Sequence, residues 1–531
     1  MLDLLVSRLL GGGKSRKELE ALEGATTMLA GYAAKDFNAA FATMVQALRQ
    51  IDNQERSNPK KRAKAFLYAE DTSRRYYHQL LAQLVRLLER QELSAHNLYH
   101  MVLGYQDALI TCYQSLLSAD SALERSLGKG VAPQIFCRTL ALIADSAMVR
   151  MLRYEALETA QWGQVNRLYA QAEQLGLQRV AVAPYGGKEG ERSIEQEFLR
   201  MQLLYLSQPE CLTPLQIATL NDWLQRNLTV MQVDMELAPE AQSFVLGLEG
   251  FRPPTQLKKR EEGADKRYLN TRPLIARAQN MVKQLQQGQD CKALSLPTAM
   301  TPRDALAMFD RVSRCWSRSH YPKRRDERQA TPELVLLYQG VPTILETIKS
   351  PPEPSQSQAS FSTRVHSRAG VSTVMVDESM LSDTASSSMW LLEDISSQGI
   401  GLRQHNTVAK RPVINDLLAV RYQQKLRIGV VRRIAMEDGR QYIGVEIVAE
   451  EPQMVQLRSV SGVTLEAIFA VGQDEGQRFR TLLLPSQFEP RPDPYTLLYK
   501  GREYQVTLSA DVRFYSGGNL FPFSVVEQKA A

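Results

Sequence analysis

The chain has 531 residues, of which 44% are hydrophobic and 23% are charged, and its formal net charge is +6. This length allows two to four domains with a substantial buried core. The charge balance is too mild for a general nucleic-acid binder, so any anion-binding site must be local.

The first part of the chain, to about residue 235, has the pattern of amphipathic helices. Apolar residues recur three and four positions apart in AAFATMVQALRQI, YYHQLLAQLVRLLERQ and LYHMVLGYQDALITCYQSLL. Glycine and proline fall mostly between these periodic segments. We therefore predict an all-α helical domain over residues 1–240, built as a bundle or an irregular α-solenoid.

Residues 241–300 form a mixed connecting segment. FVLGLEG predicts a short strand, a Pro-Pro break and a charged loop follow it, and RPLIARAQNMVKQLQQG predicts a helix. The next helix, TPRDALAMFDRVSRCWSR, has Thr301 as a capping residue and Pro302 in its first turn. We assign this helix to the start of the following domain, residues 301–458.

Strand patterns dominate from Thr331 onward. The segments ELVLLYQG, KLRIGVVRRIAM, RQYIGVEIV, RTLLLP and REYQVTLSADVRFY are short, rich in β-branched or aromatic residues, and bounded by turns such as EDGR and YSGGN. This spacing predicts a small antiparallel β-barrel or β-sandwich. Residues 350–389, rich in Ser, Pro and Thr, are expected to form a flexible insertion. Residues 459–531 read as a C-terminal β extension that either enlarges the barrel or forms a second small β unit.

The fold class is therefore an α+β multidomain protein, with an all-α N-terminal region followed by an antiparallel β-barrel with extra strands. The N-terminus, MLDLLVSRLLGGGK, lacks the features of a signal peptide because Asp3 and Arg8 interrupt its apolar run. No apolar run reaches the 18 residues of a membrane span. The chain has five cysteines, an odd number, and no CxxC motif, which indicates a reducing compartment. They are Cys112, Cys137, Cys211, Cys291 and Cys315. We expect a cytoplasmic protein.

Two short motifs are imperfect matches to catalytic or metal sites. GGGKS, at residues 11–15, resembles a phosphate loop, but Arg8 stands where a Walker A motif needs glycine. HNLYH places His96 and His100 four apart, but Asn97 stands where a zinc protease needs glutamate, and no third ligand is evident. No GxSxG motif or Cys–His arrangement is recognisable. We expect no enzymatic activity, no metal and no cofactor.

A basic cluster lies just before the first strand of the β region. In YPKRRDERQ, residues 321–329, Arg324 and Arg328 form an RxxxR pattern, preceded by Lys323 and reinforced by Arg325. Such a charge run is most often a solvated face. A second pattern, further along the chain, gives this cluster a partner.

The second pattern is DxSxxG, formed by Asp394, Ser396 and Gly399 between the apolar segments WLL and IGL. In this order, the two motifs resemble the signature motifs of PilZ domains, the bacterial receptors for the second messenger cyclic di-GMP. The segments LRIGVVRRI and YIGVEIV also resemble later strands of that barrel. The resemblance covers about residues 320–455. It implies that residues 301–458 form a barrel of PilZ type that binds cyclic di-GMP.

The residue chemistry suits that ligand, which carries two phosphodiester charges and two guanines. Arginine bonds phosphate oxygens bidentately, stacks on purine faces and reaches the guanine N7 and O6 acceptors. The carboxylate of Asp394 can accept hydrogen bonds from guanine N–H groups, and Ser396 offers a small hydroxyl. Gly399 permits a tight turn and close approach of the backbone to a ligand.

The resemblance also suggests how a signal is transmitted. In that family, a basic residue immediately before the first motif, here Lys323, favours binding of two intercalated ligand molecules. Ligand binding would order the arginine segment against the barrel, and the helical region would pass the signal to an unidentified protein partner in motility, exopolysaccharide export or biofilm control. Two alternatives stay open. One is a ligand-independent scaffold of PilZ type that binds only proteins, and the other is RNA or DNA binding through KRRDER and QLKKREE.

Overall fold

The structure is a computed structural model, and it describes residues 37–529 with several gaps. The gaps are residues 53–58, 118–126, 128–129, 186–189, 258–260, 320–328, 350–366, 369–370, 373–386, 397, 407–409, 424, 475–476 and 492. The chain divides into two compact units, Met1–Lys323 and Arg324–Ala531. A helical N-terminal region precedes a C-terminal antiparallel barrel with extra strands, so the predicted fold class is confirmed.

The first unit is mainly helical. Its helices are α1 (Phe37–Asp52), α2 (Pro59–Glu89), α3 (Ala95–Leu117), α4 (Val131–Met151), α5 (Thr159–Gln174), α6 (Ile194–Leu206), α7 (Pro214–Asn227), α8 (Arg272–Gln286) and α9 (Pro302–Cys315). A small antiparallel sheet, in the order β1-β4-β2-β3, precedes α8. Its strands are β1 (Val233–Asp234), β2 (Phe244–Gly247), β3 (Thr255–Gln256) and β4 (Lys266–Leu269).

Side-chain caps mark where several of these helices begin. Before α6, the Ser193 hydroxyl accepts from the backbone N–H of Gln196 at 3.2 Å, and the Gln196 side chain accepts from the Ser193 N–H at 3.0 Å. Before α9, the Thr301 hydroxyl accepts from the backbone N–H of Asp304 at 3.1 Å, as predicted. These bonds satisfy backbone donors that have no partner within the helix.

The helix α9 belongs to the first unit, although we assigned it to the start of the barrel domain. Its apolar face, including Phe309, is buried in a core that extends from Ala40 to Trp316. The Trp316 indole N–H donates to the carbonyl of Leu203, on α6, at 3.1 Å. The mixed segment 241–300 contributes to the same core. An amphipathic pattern shows that a helix buries one face but does not identify the partner of that face.

A buried ionic cluster lies inside this helical core. The guanidinium of Arg200 donates to Asp145 at 2.5 Å, to Glu197 at 2.7 Å and to Asn221 at 2.8 Å. A fourth bond reaches the carbonyl of Ala141 at 2.8 Å. Arg200 is 1% exposed, so the ion pairs are removed from water and depend on one another.

A second buried cluster joins the chain before α6 to helices α2 and α4. Arg138 donates to Glu70 at 3.0 Å, to Asp71 at 2.6 Å and to the Pro184 carbonyl at 2.8 Å. The Tyr185 hydroxyl donates to Glu70 at 3.0 Å. Because Glu70 and Arg138 are both buried, we expect this cluster, like that of Arg200, to be sensitive to loss of one partner.

All five cysteines lie among the described residues and none forms a disulfide, and all but the half-buried Cys211 are buried. Burial raises the pKa of Cys315 to about 11, and a thiol reacts as its thiolate. We therefore expect brief treatment of the native protein with iodoacetamide to modify Cys211 before Cys315, as measured by peptide mass spectrometry. Equal modification of Cys211 and Cys315 in the folded protein would contradict this packing.

The second unit consists mainly of strands. They are β5 (Gln329–Gln339), β6 (Ser367–Arg368), β7 (Val371–Ser372), β8 (Ser387–Ile395), β9 (Gly399–Gln404), β10 (Leu417–Tyr422), β11 (Lys425–Glu437), β12 (Arg440–Arg458), β13 (Thr464–Asp474), β14 (Gln477–Leu484), β15 (Tyr495–Tyr499), β16 (Arg502–Leu508), β17 (Arg513–Tyr515) and β18 (Gly518–Lys529). Strands β6 and β7 pair only with each other among the described residues. Most of the predicted insertion, residues 350–389, lies outside the described residues.

The strand pairings form two closed six-stranded rings that share β12. The first ring runs β5-β8-β9-β12-β11-β10 and closes on β5, and every pairing in it is antiparallel. The second runs β12-β13-β14-β18-β16-β15 and closes on β12, again with antiparallel pairs throughout. Strands β13 to β16 and β18, from the predicted C-terminal extension 459–531, therefore form a second closed ring together with β12.

The length of β12 explains how one strand serves both rings. Its Tyr442–Glu446 stretch pairs with β9, whereas Gln456–Arg458 pairs with β15. A register shift between Glu450 and Gln453 separates the two halves. The predicted EDGR turn joins β11 to β12, with φ of 50° at Asp438 and 75° at Gly439, as a two-residue type I′ hairpin requires.

A short helix that the sequence analysis did not predict, α10 (Val341–Lys349), lies against both rings. Its Val341 and Ile344 are buried in one core with Ile428 of the first ring and Ile468 of the second. The two rings are therefore joined by a common apolar core as well as by β12. This arrangement makes the second unit a single packed body.

Candidate functional site

Only the second of the two sequence motifs lies within the described residues. The basic residues of the first motif lie outside the described residues; they are Lys323, Arg324, Arg325 and Arg328. The second motif lies in the first ring, at the junction of β8 and β9.

Ser396 and Gly399 form the turn between β8 and β9. The backbone N–H of Ser396 donates to the Gly399 carbonyl at 2.8 Å, and the Ser396 hydroxyl donates to the same carbonyl at 3.3 Å. A Cβ atom on Gly399 would lie 3.3 Å from the Val445 carbonyl oxygen and 3.6 Å from the serine hydroxyl. Glycine at this position therefore lets the turn lie close against β12.

Asp394 begins a row of four residues across neighbouring strands. It pairs with Gly401 on β9, which pairs with Gly444 on β12, which in turn pairs with Arg433 on β11. The alternate residue Leu402 is fully buried in the ring interior, so this row lies on the outer face. Adjacent strands are about 4.8 Å apart. A carboxylate and a guanidinium thus flank a floor of two glycines.

Gly401 is a position where only glycine fits the observed side chains. A Cβ atom there would lie 2.5 Å from the Tyr442 hydroxyl and 2.6 Å from Asp394 Oδ1. Tyr442 reaches this point from β12 and Asp394 from β8, the two strands on either side of β9. The two oxygen atoms consequently cover the backbone of Gly401.

The strand that follows the basic segment pairs with the strand that carries Asp394. Gln329, the residue after Arg328 in the sequence, pairs with Ile395, and Ala330 pairs with Asp394. The pairing is antiparallel. The described start of β5 and the DxSxxG motif are therefore neighbours in the first ring.

Ion pairs surround the row of four residues. Arg403 pairs with Glu393 and lies 4.0 Å from Glu437. Partial burial raises the pKa of Glu393, while the Arg403 charge opposes that shift. Arg432 donates to Glu446 at 2.7 Å and lies over the ring of Tyr515, at 5.6 Å from its centre. The outer face of the first ring is thus rich in fixed charges of both signs.

Four residues of this surface were not among the site residues predicted from the sequence: Gly401, Tyr442, Gly444 and Arg433. The sequence feature that could have indicated this surface is a glycine inside each of two strand patterns, IGL and YIGVEIV. A glycine inside a strand often marks a close approach of another group. The cross-strand register that aligns the two glycines is visible only in the structure.

The remaining candidate motifs form no site in the described chain. The rings of His96 and His100 lie 4.5 Å apart, edge to face. Within the described ranges, no group of three or more His, Cys, Asp or Glu residues is placed to hold a metal ion. GGGKS lies outside those ranges. In the part of the chain that the structure describes, no helix has the length and apolar character needed to span a membrane.

Residues 23–240 match a family model described as "Cyclic-di-GMP receptor FimW, N-terminal domain". The helical region is thus similar to part of a cyclic di-GMP receptor. The matched residues are about two fifths of the chain and do not include the DxSxxG motif. Comparisons with curated proteins and with solved structures each found no match.

Proposed function

We propose that this chain is a receptor for cyclic di-GMP, which binds on the outer face of the first ring. Two separate parts of the chain support this proposal. The helical region matches the N-terminal domain of a cyclic di-GMP receptor over residues 23–240. The DxSxxG motif, at residues 394–399, lies outside that match and resembles the ligand-binding motif of PilZ domains.

The pairing of β5 with β8 is the observation that carries the proposal. It makes Gln329, which directly follows the RxxxR pattern, a neighbour of the strand that ends in Asp394 and Ile395. In the proposed complex, Arg324 and Arg328 bind phosphate oxygens and guanine acceptors, with Lys323 and Arg325 adding positive charge. This supports a single site formed by both motifs.

The described half of the site offers complementary contacts for a guanine. The carboxylate of Asp394 accepts from guanine N–H donors, and the Ser396–Gly399 turn brings the backbone close to the ligand. At the opposite end of the glycine floor, the exposed Arg433 provides a flat cation for stacking or for phosphate binding. The proposed function is recognition, without catalysis or a metal.

The basic segment also lies where the two units divide, since the boundary falls between Lys323 and Arg324. We propose that ligand binding orders this segment and that the helical region passes the change to a protein partner. Such coupling requires two arrangements of the protein that differ in ligand affinity. The segment is basic enough to engage one ligand molecule or two intercalated ones.

Replacing either arginine of the RxxxR pattern tests the proposal. Because a charge-assisted hydrogen bond contributes about 1.5–3 kcal/mol, Arg324→Ala or Arg328→Ala should weaken cyclic di-GMP binding roughly ten- to hundredfold. Isothermal titration calorimetry measures the change. Arg458→Ala is the matched control, because that arginine forms an exposed ion pair with Glu503 at 2.8 Å on the second ring.

Unchanged affinity in both arginine variants would mean that the site is elsewhere. If the wild-type chain takes up no cyclic dinucleotide at all, the scaffold hypothesis, in which the first ring binds only proteins, replaces the receptor hypothesis. Nucleic-acid binding would instead appear as oligonucleotide affinity that falls steeply with salt.

A further inference from the structure

Asp394 and Tyr442 converge on one point from opposite sides of β9. Both the carboxylate oxygen Oδ1 and the phenol oxygen lie within 2.6 Å of the position that a Cβ atom on Gly401 would occupy. The two oxygen atoms are therefore no more than about 5 Å apart. A tyrosine two positions along a neighbouring strand has the reach for such a diagonal contact.

The chemistry of the two groups is complementary. An ionised carboxylate only accepts hydrogen bonds, whereas a phenol O–H donates one and leaves further carboxylate lone pairs free. The aromatic ring of Tyr442 has few rotatable bonds and lies against the sheet, so it is a stiff support for a donor. Arg403, on the same strand as Gly401, pairs with Glu393 and lies 4.0 Å from Glu437.

We propose that Tyr442 is a positioning residue that orients the Asp394 carboxylate toward the N1–H and 2-amino edge of a guanine, and that it thereby makes the site selective for guanine. This inference rests on the proposed function, because it assumes that a guanine dinucleotide binds at Asp394. A hydrogen bond from the Tyr442 hydroxyl to one carboxylate oxygen fixes the orientation of the Asp394 carboxylate plane. Both oxygens can then accept hydrogen bonds from the two adjacent guanine donors. Adenine lacks this donor pair.

Tyr442→Phe removes the donor and keeps the aromatic ring. We expect its affinity for cyclic di-GMP to fall roughly tenfold. Its preference for cyclic di-GMP over cyclic di-IMP, which lacks the 2-amino group, should shrink from about tenfold to less than about threefold. Cyclic di-AMP is the third ligand of the titration series. Tyr499→Phe is the matched control, since it removes a hydroxyl that donates to Gln453 at 2.7 Å on the second ring.

A double-mutant cycle with Asp394→Asn separates positioning from a purely structural role. If Tyr442 acts through Asp394, Tyr442→Phe should change affinity by less than about twofold in the Asp394→Asn background. Circular dichroism and the thermal midpoint of each variant check its folding.

The outcomes distinguish the two proposals. If the wild-type chain binds cyclic di-GMP but Tyr442→Phe keeps both affinity and selectivity, the positioning role is wrong and the receptor function stands. An equal loss for all three ligands, or the same loss in both backgrounds of the cycle, also overturns the positioning role. If the wild-type chain binds none of the three ligands, the proposed function itself fails.

Discussion

Arg200→Ala should destabilise the helical unit by about 3–5 kcal/mol, because it removes the cation bonded to the buried Asp145 and leaves the buried Glu197, among the described residues, only its bond from Arg192. In the native protein, Arg200 bonds Asp145 and Glu197, which are 7% and 2% exposed. Neither group can recover hydration without opening the core. Denaturant unfolding of the full chain, followed by circular dichroism at the helix band, measures the loss of free energy.

Arg314→Ala is the control for this substitution. Arg314 forms an ion pair with Asp310 at 2.8 Å on α9, but both side chains are more than half exposed. An exposed pair contributes about 0–1 kcal/mol, so this variant should unfold near the wild-type denaturant concentration. Similar losses in both variants would contradict the assignment of Arg200 to a buried, mutually dependent cluster.

Substitutions at Gly401 should weaken ligand binding strongly while leaving the barrel folded. A Cβ atom there displaces the Asp394 carboxylate and the Tyr442 hydroxyl, which are side-chain rather than backbone groups. Gly401→Ala should weaken cyclic di-GMP binding by at least about tenfold, and Gly401→Val by at least about a hundredfold, because contacts are lost and the floor is filled. Because valine has a high propensity for β-strands, the free energy of unfolding should change by about 1 kcal/mol or less.

Gly104→Ala is the matched control. Gly104 lies in α3, and among the described residues no atom outside its chain neighbours and the backbone of the same helix lies within 4 Å of the Cβ that the substitution adds. It should stabilise the helix by up to about 1 kcal/mol and leave ligand affinity unchanged. If Gly401→Val binds cyclic di-GMP as tightly as the wild-type chain does, the outer face around Gly401 is not the binding surface.

The local features of the fold were predictable because they follow from short-range chemistry. Helix periodicity, the Thr301 cap and the EDGR turn each depend on residues within a few positions of one another. The short helix α10 was not predicted, since VPTILETIK follows a strand pattern without a capping signal and gains its burial from two separate rings. Such a helix is stabilised by tertiary packing.

The non-local features were not predictable, because they depend on residues that are far apart in the sequence. The sequence of β12 gives no sign that its two halves pair with different rings, because that division depends on partners up to 47 residues away, such as Gly399 for Glu446 and Leu498 for Gln456. Likewise, the DxSxxG motif indicates Asp394, Ser396 and Gly399, but Tyr442 joins them only through the register of β9 and β12.

Calorimetric titration of the 531-residue wild-type chain with cyclic di-GMP is the most direct test of the receptor proposal. We predict saturable binding with one or two ligand molecules per chain, and a marked loss of affinity in an Asp394→Ala variant whose thermal midpoint is unchanged. No uptake at ligand concentrations on the order of tens of micromolar, or uptake that Asp394→Ala leaves intact, would contradict the proposal.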